Sequence, residues 1–230
     1  MKIYFDGCSW TKAGNLENKY EERFSRLVSQ EFGAEDYNFA LSGGSNDRIV
    51  RNLLVENNIE DYDLVVIQMT FPARTEYYGG IPNQRNVFMS GWLRVNPSWN
   101  YDYMIWKMKN NTLEEDVLNR RGIGKNRVWD DPKNSDDFDH HRKLWSDYYR
   151  TVTTTEFFEN KEKIHFQTIK NYCEVKKVPL VICTINPLTK ENFELQLNNK
   201  QINSTGKSHP NAEGHRIIAN NIISIAKSKL

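Results

Sequence analysis

Close to its first residue the chain reads Lys2-Ile3-Tyr4-Phe5-Asp6-Gly7-Cys8-Ser9-Trp10-Thr11. The apolar run at its beginning is too short for a helix and ends at an Asp-Gly pair, whereas helical periodicity follows over about Asn18 to Gln30. This pattern predicts a strand that opens into a turn and then leads to a helix. In open α/β sheets ligands bind where strands end, because backbone amides there are unpaired and the next helix directs its positive end at the site. Ser9 is expected at such a position.

The strand-turn-helix pattern is repeated further along the chain. Leu41 to Asp47 contains Gly43-Gly44, which allows a tight turn, followed by Ser45 or Asn46 as a cap for the next helix. Apolar, β-branched runs predict further strands, and apolar residues at helical spacing predict two long helices. The strands are expected at 37–40, 64–67 and 179–185. One helix is expected at 155–177, with Phe157, Phe158, Ile164, Ile169 and Tyr172 available for a buried face, and another at the end of the chain, where Ile218, Ile222, Ile225 and Ala226 keep helical spacing.

Strands that alternate with helices predict a parallel sheet, since parallel neighbours require crossover helices. We therefore expect an α/β fold with a flavodoxin-like three-layer αβα arrangement, formed by residues 1–230 as a single domain. Four strands are visible, and a fifth is expected either in the middle segment or in the loop 186–208. The pattern weakens over residues 77–155, which contain five of the six tryptophans, and predicts an inserted aromatic-rich cap that is partly helical around 101–118.

The composition favours neither a nucleic-acid nor a membrane partner. The 31 basic and 30 acidic residues of the 230 give a net charge of +1, which does not favour nucleic acid or an anionic membrane. The three cysteines cannot form a paired framework and lack the close spacing of a zinc site. We expect a cytoplasmic protein without an export signal or a membrane span, because no apolar run approaches about 20 residues.

Several chemistry-bearing residues follow predicted strands. In a parallel sheet the turns after all strands emerge at one edge, so Ser9, Gly43, the segment Thr70 to Arg74 and His209 are expected to converge there. A serine hydroxyl becomes a nucleophile when a neighbouring imidazole takes its proton, and the oxyanion that forms needs donors aimed at it. The alternative for Ser9 is a helix cap in a tight turn, and for His209 a polar residue beside a cap.

Three short blocks resemble those of the SGNH (GDSL-like) hydrolases. They occur in the family's order on an α/β pattern, and cysteine replaces the aspartate that usually precedes the serine. The residues that vary in and near these blocks, including Pro72-Ala73-Arg74, are most similar to those of SGNH-like proteins of tailed bacteriophages. This similarity would imply that the protein is located in the host cytoplasm or in the virion. The blocks are Gly7-Cys8-Ser9-Trp10-Thr11, Asn38-Phe39-Ala40-Leu41-Ser42-Gly43 and Ser208-His209-Pro210-Asn211-Ala212-Glu213-Gly214-His215.

The resemblance implies roles for residues of the site. Ser9 becomes the nucleophile, His209 the general base, and the backbone amides of Ser9 and Gly43 donors to the oxyanion. The helices that begin after Ser9 and after His209 are expected to favour the oxyanion and to keep the imidazole neutral.

Two family residues are replaced in this chain. Pro72 stands where the family has an asparagine donor, a function that we assign to Asn46 or Arg74, although an arginine fork also suits a substrate carboxylate or phosphate. Gly206 stands where the family has its acid, so a backbone carbonyl would orient His209 in a Ser-His dyad.

These residues lead to a first functional hypothesis: a serine esterase or acyl hydrolase that cleaves a small ester through an acyl-enzyme. The tryptophans of the middle segment are interpreted as its own small core more readily than as a sugar platform. Tryptophan and tyrosine among Asn, Asp and Arg nevertheless suit a surface that faces carbohydrate, so an O-acyl group on carbohydrate is the substrate that we consider. The alternatives are a catalytically degenerate SGNH fold that binds a glycan or a partner protein, and an acyl-transferring variant. Neither a cofactor nor a metal is expected, because a solvated loop explains the acidic and histidine residues at 136–141, and Cys8 is interpreted as a buried filler more readily than as a nucleophile.

Overall fold

The computed structural model describes residues 1–13, 16–82, 88–95, 148, 153–186, 189, 193–197 and 209–230. These residues form two compact units, one made of Met1–Phe71 and Glu162–Leu230 and the other of Pro72–Lys161. In chain order the elements are β1 (Lys2–Asp6), α1 (Ser9–Lys12), α2 (Lys19–Glu22), α3 (Phe24–Glu31), β2 (Glu35–Asn38), α4 (Asn46–Arg51), a π-helical turn (Asn52–Glu56), a 3₁₀ turn (Ile59–Asp61), β3 (Leu64–Met69), β4 (Thr75–Pro82), β5 (Phe88–Val95), α5 (Thr155–Val175), β6 (Leu180–Thr184), β7 (Leu195–Gln196) and α6 (Ala212–Lys227).

The first unit is organised around a five-stranded parallel sheet. Its strand order is β2-β1-β3-β6-β7, and every pair of neighbours is parallel. When only the five strands of this sheet are numbered, the order is 2-1-3-4-5, which is the order of doubly wound flavodoxin-like folds. The expected fifth strand lies in the late loop, as Leu195–Gln196.

The alternation of side chains along the strands explains why helices cover both faces of this sheet. Leu64 and Val66 pack into one apolar cluster, together with residues of α3 and α6. Val65 and Ile67 point the opposite way, into a second cluster with residues of α4 and α5. Each fully buried side chain of this size contributes about 1.5–3 kcal/mol to stability, which favours burying both faces. The expected three-layer α/β fold with a central parallel sheet is confirmed.

Some boundaries differ from those expected. The helix predicted over 18–30 is two helices, because α2 and α3 are separated by Arg23, whose backbone is extended at φ −70° and ψ 143°. The break has a tertiary cause: the amide of Phe24 donates to Nδ1 of His215 across 3.2 Å, so a side chain from α6 caps α3. On α5 the prediction for Ile164 is also wrong, since this side chain is 64% exposed.

The second unit contains a two-stranded antiparallel sheet formed by β4 and β5, with Thr75 opposite Val95 and Pro82 opposite Phe88. The sequence pattern did not indicate these strands, because Gly and Pro interrupt their alternation. The predicted helix around 101–118 and the polar loop at 122–139 lie outside the described residues, so the cap remains a prediction. No helix in the described ranges has both the length and the apolar character that crossing a membrane requires.

Candidate active site

Ser9 and His209 lie in direct contact although 200 positions separate them in the chain. Ser9 is the first residue of α1, 4% exposed, immediately after the turn that follows β1. His209 precedes α6 by three positions, and its Nε2 lies 2.7 Å from Ser9 Oγ. When His209 carries its proton on Nδ1, Nε2 has a free lone pair and can accept the hydroxyl proton of Ser9. A serine nucleophile and its general base require a contact of this length.

Gln68 holds the turn that carries Ser9. Its Oε1 accepts the amide of Cys8 at 3.2 Å and the hydroxyl of Thr11 at 3.0 Å. Its Nε2 donates to the carbonyl of Met69 at 2.7 Å, which fixes the side chain against β3. A Cβ on Gly7 would lie only 2.3 Å from Thr11 Oγ1 and 2.9 Å from Gln68 Oε1, so the turn closes here only around glycine. The sequence signal for Gln68 was a polar residue in an otherwise apolar strand.

The turn after β2 packs against the Ser9 turn. The amide of Leu41 donates to the carbonyl of Gly7 at 3.2 Å, and the amide of Gly44 donates to the carbonyl of Leu41 at 2.8 Å. Gly43 adopts φ 73°, a left-handed conformation that glycine takes at little cost. Of the two expected caps for α4, Ser45 fills the position, since its Oγ accepts the amide of Arg48 at 3.2 Å.

The two expected substitutes for the missing asparagine donor are placed differently. Asn46 is buried and pairs with the backbone of Thr70 on both sides of its amide, with Nδ2 donating at 2.9 Å and Oδ1 accepting at 2.8 Å. This pairing anchors the start of α4 to the end of β3 and uses one of the two hydrogens on Nδ2. Arg74 is buried and belongs to the second unit, as does Pro72, and its carbonyl accepts from Lys161 Nζ at 3.4 Å.

Several solved structures resemble this chain. An acetyl xylan esterase, AlAXEase, is 14% identical, with 98% of this chain and 99% of that one covered and a TM-score of 0.45. The psychrotrophic esterase EstA from Pseudoalteromonas sp. is 11% identical, with coverage of 99% and 97% and a TM-score of 0.41. A GDSL-like lipase from Bacteroides thetaiotaomicron is 15% identical, with coverage of 100% and 89% and a TM-score of 0.37.

No family model matches the sequence. No curated protein matches it either. Because the structural scores are low, the function proposed below rests on the geometry of Ser9 and His209.

His215 supports the segment that carries His209. It is 1% exposed, its ring stacks on Phe24 with 5.7 Å between ring centroids, and its Nδ1 accepts the Phe24 amide. Burial, assisted by the nearby His209, lowers the pKa of His215 to about 4. His215 is therefore neutral near pH 7 and ties α6 to α3, which agrees with the expectation that it faces the core.

This burial predicts a loss of stability in acid. In the unfolded chain the imidazole has its ordinary pKa of 6.5, against about 4 in the folded protein. Between pH 6.5 and about 4 the unfolded chain binds a proton that the folded protein does not bind. The free energy of unfolding therefore decreases as the pH falls from 6.5 towards 4, by up to about 3 kcal/mol. We expect His215→Asn, whose Oδ1 can replace Nδ1 as acceptor, to remove this component of the pH dependence in urea unfolding. An equal acid loss in the variant would contradict the assignment.

The remaining expectations concern Cys8 and metal ions. Cys8 is fully buried, and its thiol donates to Gln68 Oε1 at 3.3 Å, which suits a core residue. Within the described ranges no group of three or more His, Cys, Asp or Glu side chains is arranged to hold a metal ion. Residues 136–141 and Gly206 lie outside those ranges.

Proposed function

We propose that this chain is a serine esterase that uses Ser9 as nucleophile and His209 as general base. The 2.7 Å distance between His209 Nε2 and Ser9 Oγ is the observation that carries the proposal. It is supported by the position of Ser9 at the end of a central parallel strand, the place where open α/β sheets bind ligands. The Gly43 turn lies beside it, joined by the bond from the Leu41 amide to the Gly7 carbonyl.

The proposed reaction proceeds through an acyl-enzyme. Ser9 Oγ attacks the ester carbonyl carbon while its proton passes to His209 Nε2, and the amides of Ser9 and Gly43 stabilise the oxyanion. When the tetrahedral intermediate collapses, the imidazolium returns the proton to the departing alcohol. A water molecule, deprotonated by His209, then releases the acid and restores Ser9. The positive end of α6, which begins close after His209, disfavours the imidazolium and so keeps the base available.

The substrate class that we propose is an O-acyl group on a carbohydrate. The reason lies in the composition of residues 77–155, where tryptophan and tyrosine occur among Asn, Asp and Arg. Aromatic rings stack on sugar faces, and the polar side chains supply directed hydrogen bonds. The bacteriophage origin and the cytoplasmic location remain predictions from the sequence.

Covalent labelling tests the nucleophile directly. We expect a fluorophosphonate probe to add one phosphonyl group to the wild-type protein, detected by intact mass, because Ser9 Oγ displaces fluoride while His209 takes the proton. Ser9→Ala is expected to remain unlabelled. A wild-type protein without an adduct, or an adduct that persists in Ser9→Ala, would refute the proposed function.

Cys8→Ala is the matched control for this experiment. It removes the neighbouring thiol but keeps the Cys8 amide that donates to Gln68, so labelling is expected at a rate close to that of the wild type. Loss of the adduct in Cys8→Ala with full labelling of Ser9→Ala would instead identify the thiol as the nucleophile.

The second candidate is a binding module for a glycan or a partner protein. It is favoured by Pro72 and Gly206, which stand where the SGNH hydrolases that the chain resembles have the asparagine donor and the acid. This function gains support if the fluorophosphonate leaves the wild type unmodified while glycan arrays show binding that depends on the tryptophans of residues 77–155.

A further inference from the structure

A buried ion pair lies beneath the two turns of the site. Asp6 is the last residue of β1 and fully buried, and its Oδ1 accepts from Arg48 of α4 at 2.8 Å. Asn52 donates to the other oxygen, Oδ2, at 2.9 Å, and the hydroxyl of Tyr4 lies 3.3 Å from it. Burial raises the pKa of Asp6, and the Arg48 guanidinium opposes that shift.

The pair contacts both turns. On one side, Asp6 Oδ1 also accepts the amide of Gly7 at 2.7 Å, and Gly7 begins the turn that leads to Ser9. On the other side, the second guanidinium nitrogen of Arg48 donates to the carbonyl of Phe39, which precedes the Leu41–Gly44 turn. A Cβ on Gly44 would lie 3.6 Å from Arg48 Nη1, so the guanidinium packs directly against this turn.

A planar guanidinium can make these two contacts together because its donors have a fixed geometry. The ends of β1 and β2 are thereby joined by a charged bridge in addition to the backbone bond from Leu41 to Gly7. Asp6 itself belongs to the sheet, opposite Ile67 of β3, so the bridge links the Phe39 carbonyl and the Gly44 turn to a fixed position of the sheet. The bridge therefore limits how far the two turns can move apart.

We propose that Arg48 and Asp6 are a positioning pair. The pair holds the Ser9 turn and the Gly43 turn at the spacing at which the backbone amides of Ser9 and Gly43 can bind one oxyanion. The inference rests on the proposed esterase function, but its structural part does not require turnover. Two donors aimed at one oxygen stabilise a transition state only at the correct separation, so the pair acts on kcat more than on KM.

Arg48→Lys is the first test. Lysine keeps the positive charge but lacks the planar guanidinium, so it cannot donate to Asp6 and to the Phe39 carbonyl with the geometry that Arg48 uses. With p-nitrophenyl acetate as the probe, we expect kcat to fall about 10- to 100-fold while KM stays within about twofold. Arg51→Lys is the matched control on the same helix, since Arg51 pairs with Glu56, which is exposed, and is expected to keep the wild-type kcat.

A second pair of variants separates positioning from stability. Arg48→Gln leaves a buried carboxylate without its cation and is expected to unfold at lower urea. Asp6→Asn combined with Arg48→Gln removes both charges, so stability should recover towards that of the wild type while kcat remains low. Recovery of kcat together with stability would overturn the inference. If Arg48→Gln does not fold, Arg48→Lys alone decides.

Hydrogen exchange makes the result independent of the proposed function. We expect the amides of residues 7–11 and 41–44 to exchange at least about tenfold faster in Arg48→Lys than in the wild type, and to be unchanged in Arg51→Lys. If the wild type fails to hydrolyse the probe, the esterase proposal fails, and faster exchange at both turns still supports the positioning role. Unchanged exchange and unchanged kcat in Arg48→Lys would overturn the inference.

Discussion

Replacing His209 by alanine is expected to lower kcat for p-nitrophenyl acetate by about 10³- to 10⁴-fold, equivalent to about 4–5.5 kcal/mol of transition-state stabilisation. The physical reason is that His209 Nε2 lies 2.7 Å from Ser9 Oγ and is in position to accept its proton. Without the imidazole, Ser9 must lose its proton to water, and the leaving alcohol receives none from the enzyme. Stopped-flow or steady-state measurement of p-nitrophenolate release provides the test.

His165→Gln is the control for this variant. His165 Nε2 lies 3.0 Å from Asp47 Oδ1 on the face formed by α4 and α5. The His165→Gln variant is expected to keep kcat within about twofold of the wild type. Added imidazole should partly restore turnover in His209→Ala, because a small base can enter the vacated space. A His209→Ala protein with wild-type kcat would show that another group is the base.

Gly7→Ala is expected to have the second largest effect. The added Cβ would lie 2.3 Å from Thr11 Oγ1 and 2.9 Å from Gln68 Oε1, so the turn or these two side chains, which hold it, must shift. Overpacking of this kind costs about 1–3 kcal/mol of stability, and the displaced Ser9 should lower kcat by about 100-fold. Urea unfolding and p-nitrophenyl acetate turnover measure the two effects.

Gly33→Ala separates the general cost of losing a glycine from the effect on the site. Gly33 has φ +58° and no atom within 4 Å of an added Cβ, so the substitution costs about 1–2 kcal/mol from backbone strain alone. Its kcat should be that of the wild type. If Gly7→Ala retained full turnover, the close packing of the Ser9 turn would have no role in catalysis.

The sequence predicted the sheet better than it predicted the helices. β3 was recognised because its continuous apolar, β-branched run has one physical explanation, burial on both faces of a parallel sheet. The break between α2 and α3 was missed because its cause, the bond from Phe24 to His215, joins residues 191 positions apart. Local periodicity contains no information on such a contact.

The same distinction applies to the site. Ser9, Gly43 and His209 were predicted to share one site because each follows a predicted strand or precedes a predicted helix, and strand ends share one edge of the sheet. Gln68, Asp6 and Arg48 were missed as parts of the site, since a polar residue at the end of a strand has no partner until the neighbouring strand or helix is known. Their buried hydrogen bonds require the folded chain.

By itself the sequence determined the class of fold and the residues that can carry chemistry, because hydrophobic period and strand ends are local properties of a chain. The tertiary structure decided what those residues do to one another. It brought His209 Nε2 to 2.7 Å from Ser9 Oγ, and it joined the Gly7 and Gly43 turns through Leu41 and through the Asp6–Arg48 pair. A distance of this kind depends on how strands and helices pack across 200 positions of chain, and packing is a property of the whole molecule.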